Sequence, residues 1–466
     1  MWNNRLKKLS VGFPYCLFMF FAVLLIFFRM PWIDESWYAG PAITFMREGS
    51  FLTFGCGTTV HAYGFEPYAL LEAAWYSLGK VNLIWIRFLN VLLGLFFLLT
   101  VDRCLKFAEI SSQTRTIAIT LGGINYFFLY AATQNRPEIA ALLASVLGLL
   151  FYLTWRNNPK NYCYLSFSSF LLIVSTVFHL QAAFTELSLW VTTLIIDRNL
   201  LKKKQILAFF APYVICAVLM GVYLYPHWKD FINYLYGTFV SNKMLGHSGG
   251  MFSALSQYWN NHEFVNLLVA LVLIASPILG MSAFNKKSNK KSRLILFIFA
   301  SGGYISWLGT TTHINDYHAC WLSLSLIISM VGAIECLRSN IFLIKVGMIG
   351  VIFFLLTLGA CSVFFVFNNV KIDPYRNIYY SDLNHFSSRY RLLRSTVGGV
   401  RDIQWYFKFS TKVLCPSEPA AFPEYYILNN DVAKNNESAL DDGHTYFLLQ
   451  KGRGFSIYQL SKKRTE

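Results

Sequence analysis

Two adjacent acidic residues are the first candidates for chemistry in this sequence. Asp34 and Glu35 follow a long apolar segment and open a stretch of helical spacing that runs to Gly49. Neighbouring side chains on a helix point about 100° apart, so we do not expect these two to act as paired carboxylates or to chelate one metal ion. Both are candidate catalytic residues, with one carboxylate expected to face a cleft and the other to be structural.

A single carboxylate suits the transfer of a sugar from a phosphate donor. Phosphate is a good leaving group, so no second carboxylic acid has to protonate it, whereas glycoside hydrolysis uses two acids. The remaining needs are a general base for the acceptor hydroxyl and cations for the departing phosphate. The alternative is that Asp34 only caps its helix by accepting hydrogen bonds from backbone N–H groups.

Arginines near the ends of two apolar segments are candidates for the phosphate contact. Arg87 lies near the start of one segment, and Arg136 precedes Glu138 at the start of another. Structural alternatives are an ion pair of Arg136 with Glu138 and an Arg87 side chain that extends to the lipid headgroups. Charges at membrane depth are typical of pumps and channels. Charges at the rim instead favour a reaction at the interface with a lipid-borne substrate.

Aromatic, acidic and histidine side chains on the same side are weaker candidates for a substrate cleft. They are Tyr38, Tyr68, Glu138, His179, His313 and Asp316. His313, Asp316 and His318 share a short loop whose spacing permits metal ligation, but no further ligand accompanies them. We therefore predict no metal site from this loop and leave a divalent cation open as a cofactor.

The composition places these residues in a membrane protein. Of the 466 residues, 55% are hydrophobic and 14% are charged, whereas soluble domains have about 25% charged residues. This excludes a soluble enzyme, a disordered chain and a disulfide-stapled secreted domain. We predict an α-helical polytopic fold with about 11 transmembrane helices. They lie at about 11–28, 82–102, 116–131, 138–155, 162–180, 184–197, 205–224, 264–284, 294–310, 317–337 and 342–367.

The net charge of +16 is explained by topology rather than by a nucleic-acid partner. With the N-terminus in the cytoplasm, the inner loops carry 19 Lys and Arg residues and the outer loops carry 6, as the positive-inside rule favours. The Lys-rich loop at 286–293 also suits anionic lipid headgroups. We interpret the first segment as an uncleaved helix rather than a signal peptide, because no small-residue cleavage site precedes Pro31.

Two regions are distinguished by their length and pattern. The membrane domain, 1–368, contains a first outer loop at 29–81 and a second at 225–263. The first loop has two helical patterns, from 34 to 49 and from 66 to 78, both too short to span a bilayer and therefore predicted to lie at the outer surface.

The tail, 369–466, is predicted to form a small extracytoplasmic α/β domain. A helix is expected around 380–395. A hairpin is expected from 445 to 460, because two strand patterns flank a Lys-Gly-Arg-Gly turn.

Several short motifs occur together in an order that resembles the GT-C class of membrane glycosyltransferases, which use polyprenyl-phosphate sugars. The similarity is greatest to the aminoarabinose-transferase-like and protein O-mannosyltransferase-like family of bacteria and covers roughly residues 10–200. The motifs are Asp34-Glu35-Ser36-Trp37-Tyr38-Ala39, Gly49, Pro67-Tyr68-Ala69-Leu70-Leu71, Leu78-Gly79, Arg87-Phe88-Leu89-Asn90-Val91-Leu92-Leu93-Gly94 and Arg136-Pro137-Glu138.

The resemblance implies roles for particular residues. It implies that Asp34 activates the acceptor hydroxyl in an inverting displacement, and that an outward cleft holds the donor phosphate, for which Arg87 and Arg136 are the candidates. The sequence departs from many relatives at Glu66-Pro67-Tyr68, where a double proline is usual. This region is expected to contact the acceptor, so the resemblance does not identify the acceptor.

The sequence therefore predicts a glycosyltransferase of a bacterial inner membrane. Its expected partners are a polyprenyl-phosphate sugar donor, a hydroxyl acceptor on a glycan, lipid or protein, and membrane lipids, with no nucleic acid. The alternative is a transporter or flippase of a lipid-linked saccharide that performs no chemistry. A membrane scaffold would leave the charges at the outer rim unexplained.

Overall fold

The computed structural model describes most of the chain up to residue 233 and selected segments after it. The described residues are 2–29, 33–54, 59–61, 66–233, 236, 290–310, 318–337, 364, 382–383, 385–390, 397–399, 413–414, 425–429, 438–441, 444–452 and 455–460. The predicted span at 264–284 and nearly all of the span at 342–367 lie outside them, as does most of the second outer loop.

The described part of the membrane region is helical. Its α-helices are α1 (Trp2–Phe28), α2 (Ile33–Glu48), α3 (Glu66–Ser77), α4 (Leu83–Phe107), α5 (Ser112–Gly123), α6 (Tyr126–Ala132), α7 (Glu138–Asn157), α8 (Cys163–Phe178), α9 (Ala183–Val191), α10 (Lys203–Leu224), α11 (Lys290–Thr310) and α12 (Ser323–Leu337). Within the described residues, three helical stretches are long and apolar enough to cross a membrane, namely Leu83–Phe107, Glu138–Asn157 and Lys203–Asn233.

Two predicted spans are less regular than expected. The span at 116–131 is divided into α5 and α6, because Asn125 caps α6 by accepting a hydrogen bond from the backbone N–H of Phe127 at 3.0 Å. An asparagine at this position stabilises a new helix start rather than a continuous helix. The span at 184–197 begins as α9 and continues as a π-helix from Thr192 to Ile196.

The chain folds into two compact units. Unit 1 comprises Met1–Val23, Asn90–Thr133 and Pro137–Phe365, and unit 2 comprises Leu24–Leu89, Gln134–Arg136 and Val366–Glu466. In unit 1, α7 packs closely on α8, where Gly148 admits Leu172 and its carbonyl accepts a 2.7 Å hydrogen bond from Ser168 Oγ.

Unit 2 contains the first outer loop, whose two predicted helices are confirmed as α2 and α3. Gly49 ends α2 with a φ of +70°, a left-handed conformation that glycine adopts without a steric cost. Between the helices, β1 (Leu52–Phe54) pairs antiparallel with β2 (Thr59–His61). This short hairpin was not predicted from the sequence.

The tail of unit 2 forms a six-stranded mixed sheet, within the residues described. Its strands are β3 (Val397–Gly399), β4 (Val413–Leu414), β5 (Tyr425–Asn429), β6 (Ser438–Asp441), β7 (His444–Lys451) and β8 (Phe455–Leu460), in the order β4-β3-β5-β8-β7-β6. The predicted hairpin is confirmed as β7 and β8, and residues 385–390 of the predicted helix are helical.

Candidate active site

Unit 2 gathers polar side chains from four chain segments into one buried cluster. The segments are the first turns of α2, one face of α3, the start of α4 and the short stretch 134–136. The cluster comprises Glu35, Tyr38, Tyr68, Glu72, Tyr76, Arg87, Asn135 and Arg136. Most of these side chains are almost completely buried, so each polar atom must find a partner within the protein or bear the cost of desolvation.

Glu35 and Arg87 form the centre of the cluster. Arg87 donates from Nε to Glu35 Oε1 at 2.7 Å and from Nη2 to Glu35 Oε2 at 2.6 Å. The two side chains are 0% and 1% exposed. Arg87 Nη1 also donates to the backbone carbonyl of Arg29 at 2.8 Å. Such a bidentate pair fixes orientation as well as distance.

Asn135 connects Glu35 to α3. Its backbone N–H donates to Glu35 Oε1 at 2.9 Å, and its Nδ2 donates to the backbone carbonyl of Glu35 at 3.1 Å. Its Oδ1 accepts a 2.9 Å hydrogen bond from the hydroxyl of Tyr68. Asn135 therefore holds the side chain of Glu35 with its backbone N–H and the backbone of Glu35 with its side-chain amide, and the same amide joins them to α3.

Tyr38 and Arg136 form a second contact, one turn further along α2. The Arg136 guanidinium lies over the Tyr38 ring, 5.2 Å from its centroid, and Nη2 approaches the Tyr38 hydroxyl at 3.4 Å. Tyr38 also meets Tyr68 edge to face, with ring centroids 6.4 Å apart. The geometry is that of a cation–π contact, which retains the positive charge of the arginine.

A pair of tryptophans holds α3 against the start of α4. Trp75 and Trp85 stack with centroids 4.6 Å apart. Trp75 Nε1 donates to the carbonyl of Trp85 at 2.7 Å, and Trp85 Nε1 donates to the carbonyl of Trp75 at 3.0 Å. Because Arg87 follows two residues after Trp85, this reciprocal clamp also fixes the position from which Arg87 reaches Glu35.

Glu72 and Tyr76 extend the buried face of α3 beyond Tyr68. Glu72 is 0% exposed, and within the described part of the chain neither of its oxygens makes a hydrogen bond of standard geometry. Burial raises the pKa of the Glu72 carboxyl well above its ordinary range, and the side chain of Asn135 only partly opposes this. Burial also raises the pKa of Tyr76, and Glu72 adds to that shift. Burial therefore disfavours the charged form of the Glu72 carboxyl.

The remaining candidate residues are placed as follows. Asp34 lies in the first turn of α2, directly before Glu35, but its side chain lies outside the described part. His313 and Asp316 also lie outside it. In unit 1, His179 Nε2 is 3.6 Å from Glu138 Oε1, and Glu138 is fully buried. Among the described residues, no three His, Cys, Asp or Glu side chains are grouped to hold a metal ion.

Sequence reasoning missed Asn135, Glu72 and Tyr76. Asn135 makes one hydrogen bond through its backbone N–H and two through its side chain, and all three join it to residues far away in the sequence. Tyr68, Glu72 and Tyr76 are spaced four residues apart, which places them on one helix face. That spacing is detectable in the sequence. The presence of Glu72 in the series indicates that this helix face is not purely apolar.

The fold of this chain has relatives among solved structures, although its sequence has no match. No protein-family model matches the sequence, and no curated protein matches it. ArnT from Cupriavidus metallidurans bound to undecaprenyl phosphate matches with a TM-score of 0.61 and 12% identity, over 98% of each chain. Its apo structure gives a TM-score of 0.60 and 11% identity, again over 98% of each chain. The chain has the fold of ArnT.

This similarity confirms the predicted GT-C resemblance at the level of the fold. With its long apolar helices, the ArnT-like chain is an integral membrane protein. An oligosaccharyltransferase of Archaeoglobus fulgidus is less similar, with a TM-score of 0.48 and 11% identity over 89% of this chain and 68% of its own.

Proposed function

We propose that this protein is a membrane glycosyltransferase that moves a sugar from a polyprenyl-phosphate carrier to a hydroxyl acceptor on the outer face of the membrane. The observation that carries the proposal is the immobilised first turn of α2, where Glu35 is held by both Arg87 and Asn135. Asp34 directly precedes Glu35 on that turn. The ArnT-like fold supports the choice of donor, because ArnT was solved with undecaprenyl phosphate bound.

In the proposed reaction, Asp34 is the general base. Its carboxylate takes the proton of the acceptor hydroxyl as the acceptor oxygen forms a bond to the anomeric carbon. The bond from that carbon to the phosphate oxygen breaks, and the polyprenyl phosphate leaves with the electron pair. Attack from the face opposite the phosphate inverts the anomeric centre. A well-placed base of this kind contributes about 10²–10⁴-fold to the rate.

Glu35 has a positioning role in this scheme. Its two oxygens accept hydrogen bonds from Arg87, and Oε1 also accepts one from the Asn135 backbone. The carboxylate is fully buried. We propose that it orients the helix turn that presents Asp34 rather than acting on substrate.

We assign the donor phosphate to Arg136 rather than to Arg87. Three nitrogens of Arg87 already bind Glu35 and the carbonyl of Arg29 within the buried cluster. Arg136 lies over the Tyr38 ring, a contact that orients the guanidinium plane and preserves its charge. A planar, permanently charged fork is well matched to phosphate oxygens.

The remaining features of the proposal are carried from the sequence. We propose about 11 transmembrane helices, a cytoplasmic N-terminus, an extracytoplasmic tail from 369 to 466 and a bacterial inner membrane, as the excess of Lys and Arg on one side favours. Glu138, His179, His313 and Asp316 stay candidate cleft residues. Tyr68 instead contributes to the site by holding Asn135.

The decisive experiment compares Asp34→Asn with the native chain. Both are purified with lipid and supplied with synthetic polyprenyl-phosphate sugars and a membrane extract as the acceptor source. Asp34→Asn is expected to bind the donor normally and to lose transfer by about two orders of magnitude or more. Glu48→Gln, on the exposed end of the same helix, is the matched control and is expected to retain activity. Undiminished transfer by Asp34→Asn would contradict the assignment of the base.

A transporter or flippase would give a different pattern in the same assay. It would bind the donor in both proteins and release no sugar, even after the acceptor extract is added. Reconstitution into vesicles with a labelled lipid-linked sugar then measures movement between leaflets directly.

A further inference from the structure

A lipid-sized groove lies in unit 1 between α8 and α10. Its volume is about 790 Å³. The two helices start at the same end of the groove, because the Gln205 side chain at the start of α10 donates a 3.0 Å hydrogen bond to the carbonyl of Pro159, just before α8. One end of the groove therefore lies at the N-terminal ends of both helices, and the groove extends from there along the two helices.

The walls of the groove are apolar and its floor is made of small or compact residues. Ala208, Ala211 and Pro212 of α10 leave room that larger side chains would fill, while Phe167 and Phe170 of α8 form the opposite wall. Leu207 and Leu219 are 69% and 62% exposed although both line the groove. The groove thus opens sideways along α10, the direction from which a membrane lipid would enter.

The polar groups of this groove are concentrated at its beginning. Lys204 and Tyr162 line that end, and Lys202 and Lys203 are exposed beside it. From Ile206 to Leu224, α10 has no charged residue. The nearest acidic residue in the sequence, Asp197, is buried and is bound by Arg156 at 3.0 Å.

We propose that this groove is a binding site for one anionic diacyl phospholipid. Its phosphate lies at Lys204 and the flanking lysines, and an acyl chain follows α10 towards Leu219. From Lys204 to Leu219 the helix rises about 22 Å, whereas one leaflet contributes about half of a 30 Å hydrocarbon core. A phospholipid chain of one leaflet therefore fits the groove. The charge arrangement selects an anionic headgroup over a zwitterionic one.

This site does not depend on the proposed glycosyl transfer. It shares no residue with the cluster around Glu35. Its basic end lies on the side that the Lys and Arg distribution assigns to the cytoplasm, so the lipid would come from the inner leaflet. Loss of lipid binding with normal transfer, or the reverse, is therefore readily recognised.

The test is native mass spectrometry of the full chain with phosphatidylglycerol and phosphatidylcholine. The native protein is expected to retain phosphatidylglycerol preferentially. Replacement of Lys202, Lys203 and Lys204 by Gln is expected to weaken its binding by about fivefold per lysine, from about 1 kcal/mol per basic residue near a membrane surface. Arg103→Gln with Lys106→Gln, at two exposed basic residues near the end of α4, is the control and should leave retention unchanged.

A second pair of variants tests the groove itself. Ala211→Phe fills the floor and is expected to displace either lipid, whereas Val214→Phe, exposed on the same helix and outside the lining, should not. Equal retention of the two lipids, an equal effect of the lysine replacements and of the Arg103 and Lys106 control, or full retention by a folded Ala211→Phe protein would each overturn the proposal. Preferential competition by a polyprenyl phosphate would also overturn it, because the groove would then belong to the sugar carrier.

Discussion

Arg87 and Glu35 meet in a bidentate ion pair although 52 residues separate them in the chain. Both side chains are almost completely removed from solvent. A buried charge pair of this kind tolerates the loss of neither partner, because the remaining charge has no water to solvate it. The pair therefore fixes the first turn of α2 relative to the start of α4, and several predictions about stability and activity depend on it.

Breaking the pair from either side should destabilise the protein. Glu35→Gln and Arg87→Gln are each expected to lower the free energy of unfolding by about 3–5 kcal/mol. The double variant should be less destabilised than the sum of the two, because neither side chain then carries an unpaired charge. Thermal unfolding in detergent measures all three.

The half-buried pair of Arg115 and Asp102 provides a comparison within unit 1. Its atoms are 2.8 Å apart and the side chains are 17% and 21% exposed. Arg115→Gln should cost at most about 1 kcal/mol. Equal costs for the fully buried and the half-buried pair would contradict the importance given to burial.

Tyr68→Phe removes one hydroxyl from the cluster and leaves the aromatic ring in place. The buried Oδ1 of Asn135 then loses the hydrogen bond that it accepts at 2.9 Å. An unsatisfied buried acceptor costs about 1–3 kcal/mol. We expect a matching loss of stability and a reduced kcat for transfer. Tyr38→Phe, whose hydroxyl is 3.4 Å from Arg136, should have a smaller effect on stability.

Arg136→Lys tests the proposed phosphate contact. Lysine keeps the charge and loses the planar fork, so donor affinity should fall more than the rate at saturation. We expect the KM for the polyprenyl-phosphate donor to rise about tenfold, which corresponds to about 1.4 kcal/mol, with kcat changed little. Arg47→Lys, at the exposed end of α2, is the matched control. A fall in kcat at unchanged KM would count against the assignment.

Gly79→Ala tests the tryptophan clamp. An added methyl group at this position would meet the Trp85 ring at a distance that side chains do not tolerate. The ring would have to move, which disturbs its stacking with Trp75. Overpacking typically costs about 1–3 kcal/mol. Gly221→Ala in α10 is the control, because no heavy atom lies within 4 Å of the added carbon.

Glu72→Gln should make the protein more stable at neutral pH. The pKa of this carboxyl is raised in the folded state, so above the ordinary pKa of a glutamate the folded chain binds more protons than the unfolded chain. Stability from this group therefore falls as the pH rises above that ordinary pKa. Glutamine stays neutral and removes the dependence. Unfolding curves of the two proteins across neutral pH should diverge as the pH increases.

Glu66→Gln, on the less buried start of the same helix, is the control for Glu72→Gln. It should follow the native pH dependence. If Glu72→Gln and the native chain keep the same pH dependence, Glu72 is ionised in the folded protein and has a cationic or solvent partner.

The sequence predicted much of the local structure in unit 2. Helical spacing from 34 to 49 and from 66 to 78 identified α2 and α3, with every predicted boundary within one residue of the observed one. Each helix has an apolar face and ends at a recognisable residue pattern. Alternation in the tail identified β7 and β8. Such patterns are local, and local periodicity is what single-sequence reasoning can detect.

The contacts within the site were harder to predict. The sequence predicts Arg87 as a phosphate ligand and gives no sign of its ion pair with Glu35, the residue adjacent to the expected base. The ion pair of Glu35 and Arg87 depends on tertiary contacts between segments that are far apart in the chain, and no local sequence pattern encodes such contacts. The separation of α5 from α6 was also missed, because the capping asparagine at 125 lies within a stretch that is apolar overall.

The hydrogen bond from Arg87 to the carbonyl of Arg29 has a further consequence. This 2.8 Å contact joins the two ends of a chain segment that spans 58 residues. The cost of closing a chain loop grows only slowly with loop length, so the segment between these residues can vary in length and content while its two ends stay joined. We therefore expect insertions within this loop, away from Glu35 and Tyr68, to cost little stability, because the two ends stay joined by the contact of Arg87 with Arg29.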